Sequence, residues 1–418
     1  MPIRQLSQTT INRIAAGEVI ERPASVVKEL VENALDAGAR QIDIVAEAGG
    51  LSRIRVADDG SGMDAADLSL AVERHATSKL VEEELLRIDT LGFRGEALPS
   101  IGSVARLTIE TRPAGGPGLA ITVDRGDKQQ VRPAAINRGT VVEVVDLFSA
   151  TPARLKFMKS ERAETQAIND IVKRLAMAHP GVGFEVTSGE RVGLRLPVAT
   201  VDATGRMKRL GRIMGEDFLA DAVEIGLLRE GIRVSGFAGL PTLNRATAEM
   251  QFLFVNGRPV KDRLVVGALR AAYGDLVPRG RFPMAALFVD LDAGEVDVNV
   301  HPTKAEVRFR DAALVRQLVI SALRQPLDLA AQRTTVSIAG EALRSLAASG
   351  GGAAPLATRY PGQSFGRSPM PSLRLVPGFA EAMQAPLDGF VTPSARSQAD
   401  VDPAGDITSE AYPLGAAR

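Results

Sequence analysis

The sequence predicts an α+β protein in which a two-layer α/β sandwich precedes a smaller α/β domain and a disordered tail. Residues 1–200 alternate helical and strand-like patterns, which is typical of helices covering one face of a mixed sheet. Residues 201–330 predict a second domain, with strand-like Q-F-L-F-V-N-G-R at 251–258 and a helix at about 261–273. Nine of the 24 prolines fall in residues 331–418, among Gly, Ser and Ala, so we expect a disordered linker there.

The composition excludes several kinds of chemistry. The 418 residues include no cysteine, so disulfides, thiol catalysis and thiolate metal sites are ruled out. The three histidines, His75, His179 and His301, are too scattered for a metal-ligand spacing, and we interpret them as structural. The first 20 residues carry charges, and no apolar run approaches 18 residues. We therefore expect no secretory signal, no membrane span and a cytoplasmic location.

The stretch V-K-E-L-V-E-N-A-L-D-A-G predicts a helix that begins near Pro23 and ends near Gly38. At about 100° per residue its apolar side chains fall on one half, and Glu29, Asn33 and Asp36 fall on the other. The apolar half would dock on a core, and the polar half would face a site. A carboxylate one turn before a carboxamide suggests a base and a metal ligand, although an ordinary amphipathic surface helix would show the same pattern.

A strand-like L-S-R-I-R-V-A at 51–57 leads into D-D-G-S-G-M, which ends at Met63. Gly60 and Gly62 permit a tight turn and the close approach of a flat ligand to the backbone. Asp58 can accept a hydrogen bond from an exocyclic amine such as that of adenine. A plain turn would use the same residues, whereas a calcium loop is disfavoured because alternating oxygen ligands and a closing Glu are missing.

Further along the chain, L-G-F-R-G-E-A-L-P-S-I places Gly92 and Gly95 just before a helical run. Such a turn presents bare amides to a phosphate, and the upstream R-H-A-T-S-K at 74–79 would supply hydroxyls and cations as a lid. A strand-like G-T-V-V-E-V contributes Thr140, whose hydroxyl would complete a base pocket beside Asp58. A G-x-x-x-x-G-K-[ST] loop and a G-x-G-x-x-G turn are both missing, which excludes a P-loop and argues against a dinucleotide fold.

The motif order E-x-x-x-N, D-x-G-x-G, G-F-R-G-E-A-L and G-T-x-V-x-V resembles the ATPases that include DNA gyrase B, the heat-shock chaperones, sensor histidine kinases and MutL. Longer stretches resemble the MutL family of DNA mismatch-repair proteins in particular. These are I-A-A-G-E-V, E-R-P-A-S-V-V-K-E-L-V-E-N, D-A-G-A, R-H-A-T-S-K, T-L-G-F-R-G-E-A-L and T-P-A-R-L-K-F. The resemblance covers residues 1 to about 330.

The resemblance implies ATP and Mg²⁺ as cofactors. Glu29 is implied to be the general base that activates water for attack on the γ-phosphate, and Asn33 is implied to be the Mg²⁺ ligand. Asp58 is implied to read adenine, with Thr140 in support. The other implied nucleotide-binding positions are Gly60, Gly62, Met63, Thr77, Ser78, Lys79, Gly92, Phe93, Arg94 and Gly95.

Lys304 lies in V-D-V-N-V-H-P-T-K-A-E-V-R-F at 296–309. This block resembles the family segment whose lysine reaches across a domain boundary to the γ-phosphate, which implies a catalytic role for Lys304. A flexible point charge on a second domain is suited to sensing the terminal phosphate. From the residues alone, a solvated lysine on a strand turn is the simpler interpretation.

Two groups of basic residues are candidates for DNA contact. The net charge is zero, so the chain has no global basic field, and charged solvated faces explain the groups equally well. The resemblance favours DNA, with Arg263 as the first candidate, followed by Arg258 and Lys261. The groups are Arg206, Lys208, Arg209 and Arg212, and Arg258, Lys261, Arg263 and Arg270. Aromatic residues make up only 4% of the chain, which argues against recognition by base stacking.

The resemblance implies a slow ATPase switch that closes as a clamp on ATP binding and links mismatch recognition to nicking and unwinding. Its partners would be DNA, a MutS-like mismatch sensor and downstream nicking and unwinding factors, and the family's N-terminal arm predicts a homodimer on ATP binding. A non-hydrolysing scaffold that binds nucleotide is the alternative function. A sensor histidine kinase is disfavoured because Glu29 lies too near the start to leave room for a phosphoacceptor hairpin.

The sequence departs from the resembled family after residue 330. Family members continue past the linker into a C-terminal dimerisation domain, whereas this sequence stops within linker-like residues. A D-Q-H-A-x-x-E-type stretch is missing, so nuclease activity is not expected. We therefore expect dimers of this chain to depend on nucleotide.

Overall fold

The mixed α/β architecture predicted from the sequence is present in the computed structural model. The structure describes residues 6–79, 90–92, 95–189, 191–298, 300 and 306–349. Its helices are α1 (Gln8–Val19), α2 (Pro23–Asp36), α3 (Ala65–Leu70), α4 (Ala97–Val104), α5 (Pro152–Leu155), α6 (Glu161–Ala178), α7 (Ala203–Met214), α8 (Glu216–Asp221), α9 (Arg263–Tyr273) and α10 (Ala312–Ser349).

The strands form two main sheets and two short pairs within the described residues. They are β1 (Gln41–Glu47), β2 (Arg53–Asp58), β3 (Arg106–Arg112), β4 (Leu119–Asp124), β5 (Asp127–Lys128), β6 (Arg132–Pro133), β7 (Gly139–Val145), β8 (Gly183–Ser188), β9 (Arg191–Leu196), β10 (Ala222–Arg229), β11 (Ile232–Gly239), β12 (Asn244–Arg245), β13 (Gln251–Val255), β14 (Arg258–Val260), β15 (Phe282–Pro283), β16 (Ala285–Asp290), β17 (Val296–Asp297) and β18 (Arg308–Phe309).

The first sheet has the order β5-β4-β3-β7-β2-β1-β8-β9, with β6 paired to β4. Neighbouring strands are antiparallel except β1 and β8, which run parallel. Along β1, Ile42, Ile44 and Ala46 are buried while Gln41 and Asp43 are exposed. This alternation means that one face of the sheet packs on the helices and the other is open to water, as in many antiparallel sheets.

Helix α2 forms where the sequence predicts it, with Pro23 in the first turn. Its apolar half is buried in the core formed with the sheet, where Val26, Val27 and Val31 have no exposed surface. The helix also packs along α6, and the Arg22 guanidinium pairs with Glu164 of α6 at 2.8 Å. The direction of the polar half of α2 is therefore set by how its apolar half is held.

The second sheet has the order β10-β11-β16-β13-β14, and β13 runs parallel to β16. Residues on the two faces of β13 belong to different cores. Leu253 and Val255 pack with α9 and α10, whereas Phe252 and Phe254 pack with α7, α8 and the end of α6. Phe254 stacks on Phe288 with ring centroids 4.6 Å apart. The central strands β13 and β16 are covered on both faces, so they are apolar on both sides.

Arg209 on α7 joins the elements around the second sheet, residues 203–349, to those around the first sheet, residues 8–196; these are called the second unit and the first unit below. The sequence places Arg209 in a basic group that is a candidate for DNA contact. Its side chain is 1% exposed. The guanidinium donates to the carbonyl oxygens of Ala176, Pro180, Val182 and Pro197 at 2.7 to 3.0 Å. Arg209 is therefore removed from the candidates for DNA contact, because its guanidinium is buried and donates to four carbonyl oxygens inside the protein.

Helix α10 extends past residue 331, where the sequence predicts a disordered linker. The prediction is wrong for 331–349, which are helical; five of these 19 residues are Ala, the strongest helix former. The rest of the predicted linker, 350–418, lies outside the described residues. Among the helices that the structure describes, none is long and apolar enough to cross a membrane.

We predict that Arg209→Leu lowers the free energy of unfolding by about 3 kcal/mol, because buried carbonyls lose charged donors. The matched control is Arg212→Leu on the same helix, where the side chain is exposed and the expected change is within about 0.5 kcal/mol. Urea denaturation followed by circular dichroism measures both. Equal midpoints for the two variants would show that the buried contacts contribute no net stability.

Candidate functional site

A cavity of about 590 Å³ lies where α2 meets the end of β2 and the start of β7. It gathers predicted positions from five separate motifs. Those in its lining are Glu29, Asn33, Asp58, Gly62, Met63, Thr77, Ser78, Lys79, Gly92, Gly95 and Thr140. Phe93, Arg94, His301 and Lys304 lie outside the described residues.

One end of the cavity is formed by Asp58, the last residue of β2, which pairs with Thr140 of β7 in the sheet register. The Asp58 Oδ1 atom accepts a hydrogen bond from the Gly60 amide at 2.9 Å. Burial raises the pKa of Asp58 to about 6, and the Asp59 charge adds to this, while the amides of Gly60 and Thr140 oppose it. Because Val56 and Val142 also line the cavity, the carboxylate faces an apolar slot suited to a flat base.

Thr111 of β3, which the sequence analysis missed, lies behind the cavity wall and supports two lining residues, Thr140 and Met63. Its hydroxyl is fully buried, exchanges a hydrogen bond with the Thr140 hydroxyl at 3.0 Å and accepts from the Met63 amide at 2.9 Å. Thr111 therefore fixes both the Thr140 side chain and the backbone at Met63. Only the strand register, which sets Thr111 opposite Thr140, brings it here.

The two glycines after Asp58 are required by close backbone contacts. Gly62 has φ of 70°, and an added Cβ would overlap the Arg112 carbonyl. Gly60 lies behind Asp58, where an added Cβ would come 3.0 Å from both the Cβ and the carbonyl oxygen of Ala37. The turn that the sequence predicts from these glycines is thus held against α2 and β3.

The other end of the cavity is organised by Asp36, to which the sequence analysis gave no role. Asp36 Oδ1 accepts from the Leu91 amide at 3.0 Å, and Oδ2 accepts from the Gly92 amide at 2.9 Å. The Lys79 ammonium lies 2.6 Å from Asp36 Oδ2 and 2.8 Å from Asn33 Oδ1. The prediction that Gly92 presents a bare amide is wrong for this conformation, because that amide is bonded to Asp36.

Glu29 lies one helical turn before Asn33, and both side chains line the cavity. Lys28 neutralises part of the acidic charge on this helix, with its ammonium 3.3 Å from Glu32 and 3.7 Å from Glu29. A carboxylate held at the cavity wall beside a carboxamide oxygen can take a proton from a water molecule. The arrangement is that expected of a hydrolytic site.

The predicted DNA residues fall into two environments. Lys261 and Arg263 are exposed, Arg263 at the start of α9. Arg258 is 4% exposed and donates to the carbonyl oxygens of Thr90 and Leu91. The prediction that Arg258 contacts DNA is therefore wrong, because its guanidinium is turned into the protein and bonded there.

The sandwich and its cavity define an ATPase of the kind shared by histidine kinases, DNA gyrase B and heat-shock chaperones. The family model described as "Histidine kinase-, DNA gyrase B-, and HSP90-like ATPase" matches residues 20–150. A second model, described as "DNA mismatch repair protein, C-terminal domain", matches residues 210–328.

Curated relatives narrow the class to one family. DNA mismatch repair protein MutL of Bradyrhizobium diazoefficiens is 53% identical over 428 residues, covering all of this chain and 69% of the relative. MutL of Rhodopseudomonas palustris is 54% identical over 420 residues, with the same coverage of each chain. This chain belongs to the MutL family of DNA mismatch repair proteins, and it contains the family's nucleotide-binding ATPase domain.

Solved structures agree with this assignment. The crystal structure of the N-terminal domain of a DNA repair protein has a TM-score of 0.64 and 26% identity, covering 76% of this chain and 98% of that one. The Aquifex aeolicus MutL ATPase domain complexed with ADP has a TM-score of 0.50 and 27% identity, covering 72% of this chain and 98% of that one.

We predict that nucleotide affinity falls below pH 6 because protonated Asp58 must lose its proton before its carboxylate can accept from adenine. With a pKa of about 6, the deprotonated fraction falls roughly tenfold between pH 7 and pH 5. Calorimetric titration with ADP of the wild type and of Asp58→Asn measures this. ADP itself titrates identically in both experiments, so the ratio of the two affinities isolates Asp58, and a ratio that is constant with pH would contradict the prediction.

Proposed function

We propose that this chain is a slow, Mg²⁺-dependent ATPase that acts as a nucleotide-controlled switch in DNA mismatch repair. The observation that carries the proposal is the placement of Glu29, Asn33 and Asp58 around a single cavity. A hydrogen-bond acceptor for adenine lies at one end of the cavity. The general base lies at the other end, beside a pair of oxygen atoms that can hold a cation. ATP spans such a site with adenine at Asp58 and its phosphates near Asn33.

Each side chain has a role that follows from its position. Asp58 accepts from the adenine amine, and Thr140 supports that edge of the pocket. Lys79, whose ammonium contacts one carboxamide and one carboxylate oxygen at the far end, pairs with the phosphates. Glu29 takes the proton from the attacking water, so its carboxylate must be unprotonated when the γ-phosphate arrives.

The donor set at Asn33 fits Mg²⁺. The carboxamide oxygen of Asn33 and the carboxylate of Asp36 together hold the Lys79 ammonium, so this end of the cavity attracts positive charge. Mg²⁺ takes oxygen ligands and keeps several waters, so it needs few protein ligands. When bound, Mg²⁺ neutralises charge that develops on the phosphates.

Lys304 is proposed to reach the γ-phosphate from the second domain. The support is the family resemblance of its segment, which lies between the paired strands β17 and β18. Thr77, Ser78, Gly95, Phe93 and Arg94 are proposed to complete the lid and phosphate loop.

The DNA contact is proposed to lie at Arg263 and Lys261, whose exposed side chains flank the start of α9. In this proposal ATP binding promotes homodimerisation and closure as a clamp on DNA. The clamp then links a MutS-like mismatch sensor to nicking and unwinding factors. The protein would work in the cytoplasm, at the nucleoid during repair, with no nuclease activity of its own in this region.

We predict that Glu29→Gln retains ATP binding while Mg²⁺-dependent hydrolysis falls by about 10² to 10⁴-fold, because the base is lost without a change of shape. Asn33→Ala should instead weaken Mg-ATP binding. Phosphate release and equilibrium binding of a non-hydrolysable ATP analogue measure the two properties. Equal loss of both in both variants would overturn the role assignment, and a wild type that binds ATP but never hydrolyses it would indicate a scaffold.

We predict that DNA binding weakens roughly 40-fold between 50 and 200 mM salt if about three phosphates are contacted, from a slope near −0.9 per contact. Arg263→Glu should reduce both the affinity and this slope. Its matched control is Arg279→Glu, which makes the same charge change at another exposed position of the second unit. Fluorescence anisotropy with duplex DNA measures the slopes, and salt-independent binding would exclude contact with the phosphates.

A further inference from the structure

The turn between β13 and β14 holds the backbone of Arg258 in a fixed position. Asn256 and Gly257 have φ of 47° and 74°, the two positive values that a type I′ hairpin turn requires. The turn is tied to the neighbouring strand, since the Asn256 amide donates to the Val289 carbonyl at 3.0 Å and the Leu291 amide donates to Asn256 Oδ1 at 2.9 Å. Arg258, the next residue, is therefore fixed to the second sheet.

The Arg258 side chain leaves that sheet and ends at Thr90 and Leu91, of which Thr90 lines the cavity. Its Nη1 atom donates to the Leu91 carbonyl at 2.8 Å, and its Nη2 atom donates to the Thr90 carbonyl. Burial lowers the pKa of Arg258, while the charges of Glu32, Asp36 and Glu29 act to raise it. The acidic residues of α2 thus favour a charged guanidinium at a buried position.

The same short loop is held from its other side by α2. Asp36 accepts from the amides of Leu91 and Gly92, and Arg258 donates to the carbonyls of Thr90 and Leu91. The Leu91 N–H is therefore hydrogen-bonded to the first unit, and the Leu91 C=O is hydrogen-bonded to the second unit. Gly92 and Thr90 both line the cavity, so the position of this loop sets the shape of the proposed phosphate end.

We propose that Arg258 is a positioning residue for the nucleotide, through which the second sheet controls the loop at 90–92. The proposal rests on the proposed function of the cavity. The same segment of chain that carries the buried Arg258 also carries the exposed Lys261 and Arg263, the proposed DNA contacts. Asp262 lies between these two and caps α9, because its carboxylate accepts two backbone hydrogen bonds of 2.9 and 3.1 Å. A shift of this segment on binding DNA would move the loop through two hydrogen bonds.

The test measures the affinity of the full chain for a fluorescent non-hydrolysable ATP analogue, with its binding stoichiometry. Arg258→Gln should weaken binding of the analogue about tenfold. Arg258→Lys keeps the charge but loses the planar pair of guanidinium donors, and it should weaken binding about threefold. Both should bind one nucleotide per chain. Arg279→Gln, an exposed arginine of the same unit, should match the wild type.

A purely structural role predicts a different pattern, in which the variants bind less nucleotide per chain with unchanged affinity. Unchanged affinity in both variants would overturn the proposal, whatever the stoichiometry. If Arg258→Gln does not fold, Arg258→Lys decides alone by the same criterion. The readout is binding, so a wild type that fails to hydrolyse ATP would count against the proposed function and leave this test valid.

A double-mutant cycle tests whether Arg258 acts through the loop shared with Asp36. Asp36→Asn should weaken analogue binding, because Asp36 accepts from two amides through two oxygens and the Asn side chain keeps only one acceptor oxygen. Since both residues hold the same peptide, the double variant should be within about twofold of the weaker single variant. If the affinity loss of the double variant equals the product of the two single-variant losses, the two residues act independently and the shared-loop proposal is overturned.

Discussion

The cavity depends on how helix α2 is docked. Its apolar half is buried between the first sheet and α6, and the Arg22–Glu164 ion pair fastens its start. A helix held in this way cannot rotate without exposing its valines, at a cost of about 25 cal/mol per Å² of apolar surface. The docking therefore aims Glu29, Asn33 and Asp36 at the cavity.

That orientation concentrates negative charge, and the neighbouring cations offset it. Lys28 forms ion pairs with Glu29 and Glu32, and Lys79 forms an ion pair with Asp36. Arg258 lies close enough to interact electrostatically with all three of these carboxylates. Buried charges persist when they are paired and hydrogen-bonded. The site is thus an electrostatically balanced cluster in which two of the cations, Lys79 and Arg258, come from outside the helix. Movement of either cation changes the electrostatic potential at the place in the cavity where a triphosphate binds.

Arginines connect the two sheets. Arg209 donates to four carbonyls at the end of α6 and beside the first sheet, Arg258 donates to two in the nucleotide loop, and Arg174 of α6 lies over the Phe252 ring at 4.8 Å. A guanidinium suits this task because its five donors form a planar fork and its flat face packs on aromatic rings. Residues that contribute charge to basic groups in the sequence are here interior connectors.

The sequence by itself determined the mixed α/β class, the limits of α2, the turn after β2 and the identity of eleven residues that line the cavity. Each of these follows from local periodicity, Pro and Gly positions, and ordered motifs with a family resemblance. Tertiary structure alone decided the roles of Asp36, Thr111, Arg209 and Arg258. Their partners are distant in sequence, and whether an arginine meets water or a carbonyl depends on which elements pack over it. Local patterns carry no signal for such contacts, because strand register and helix docking create them only when the chain is folded.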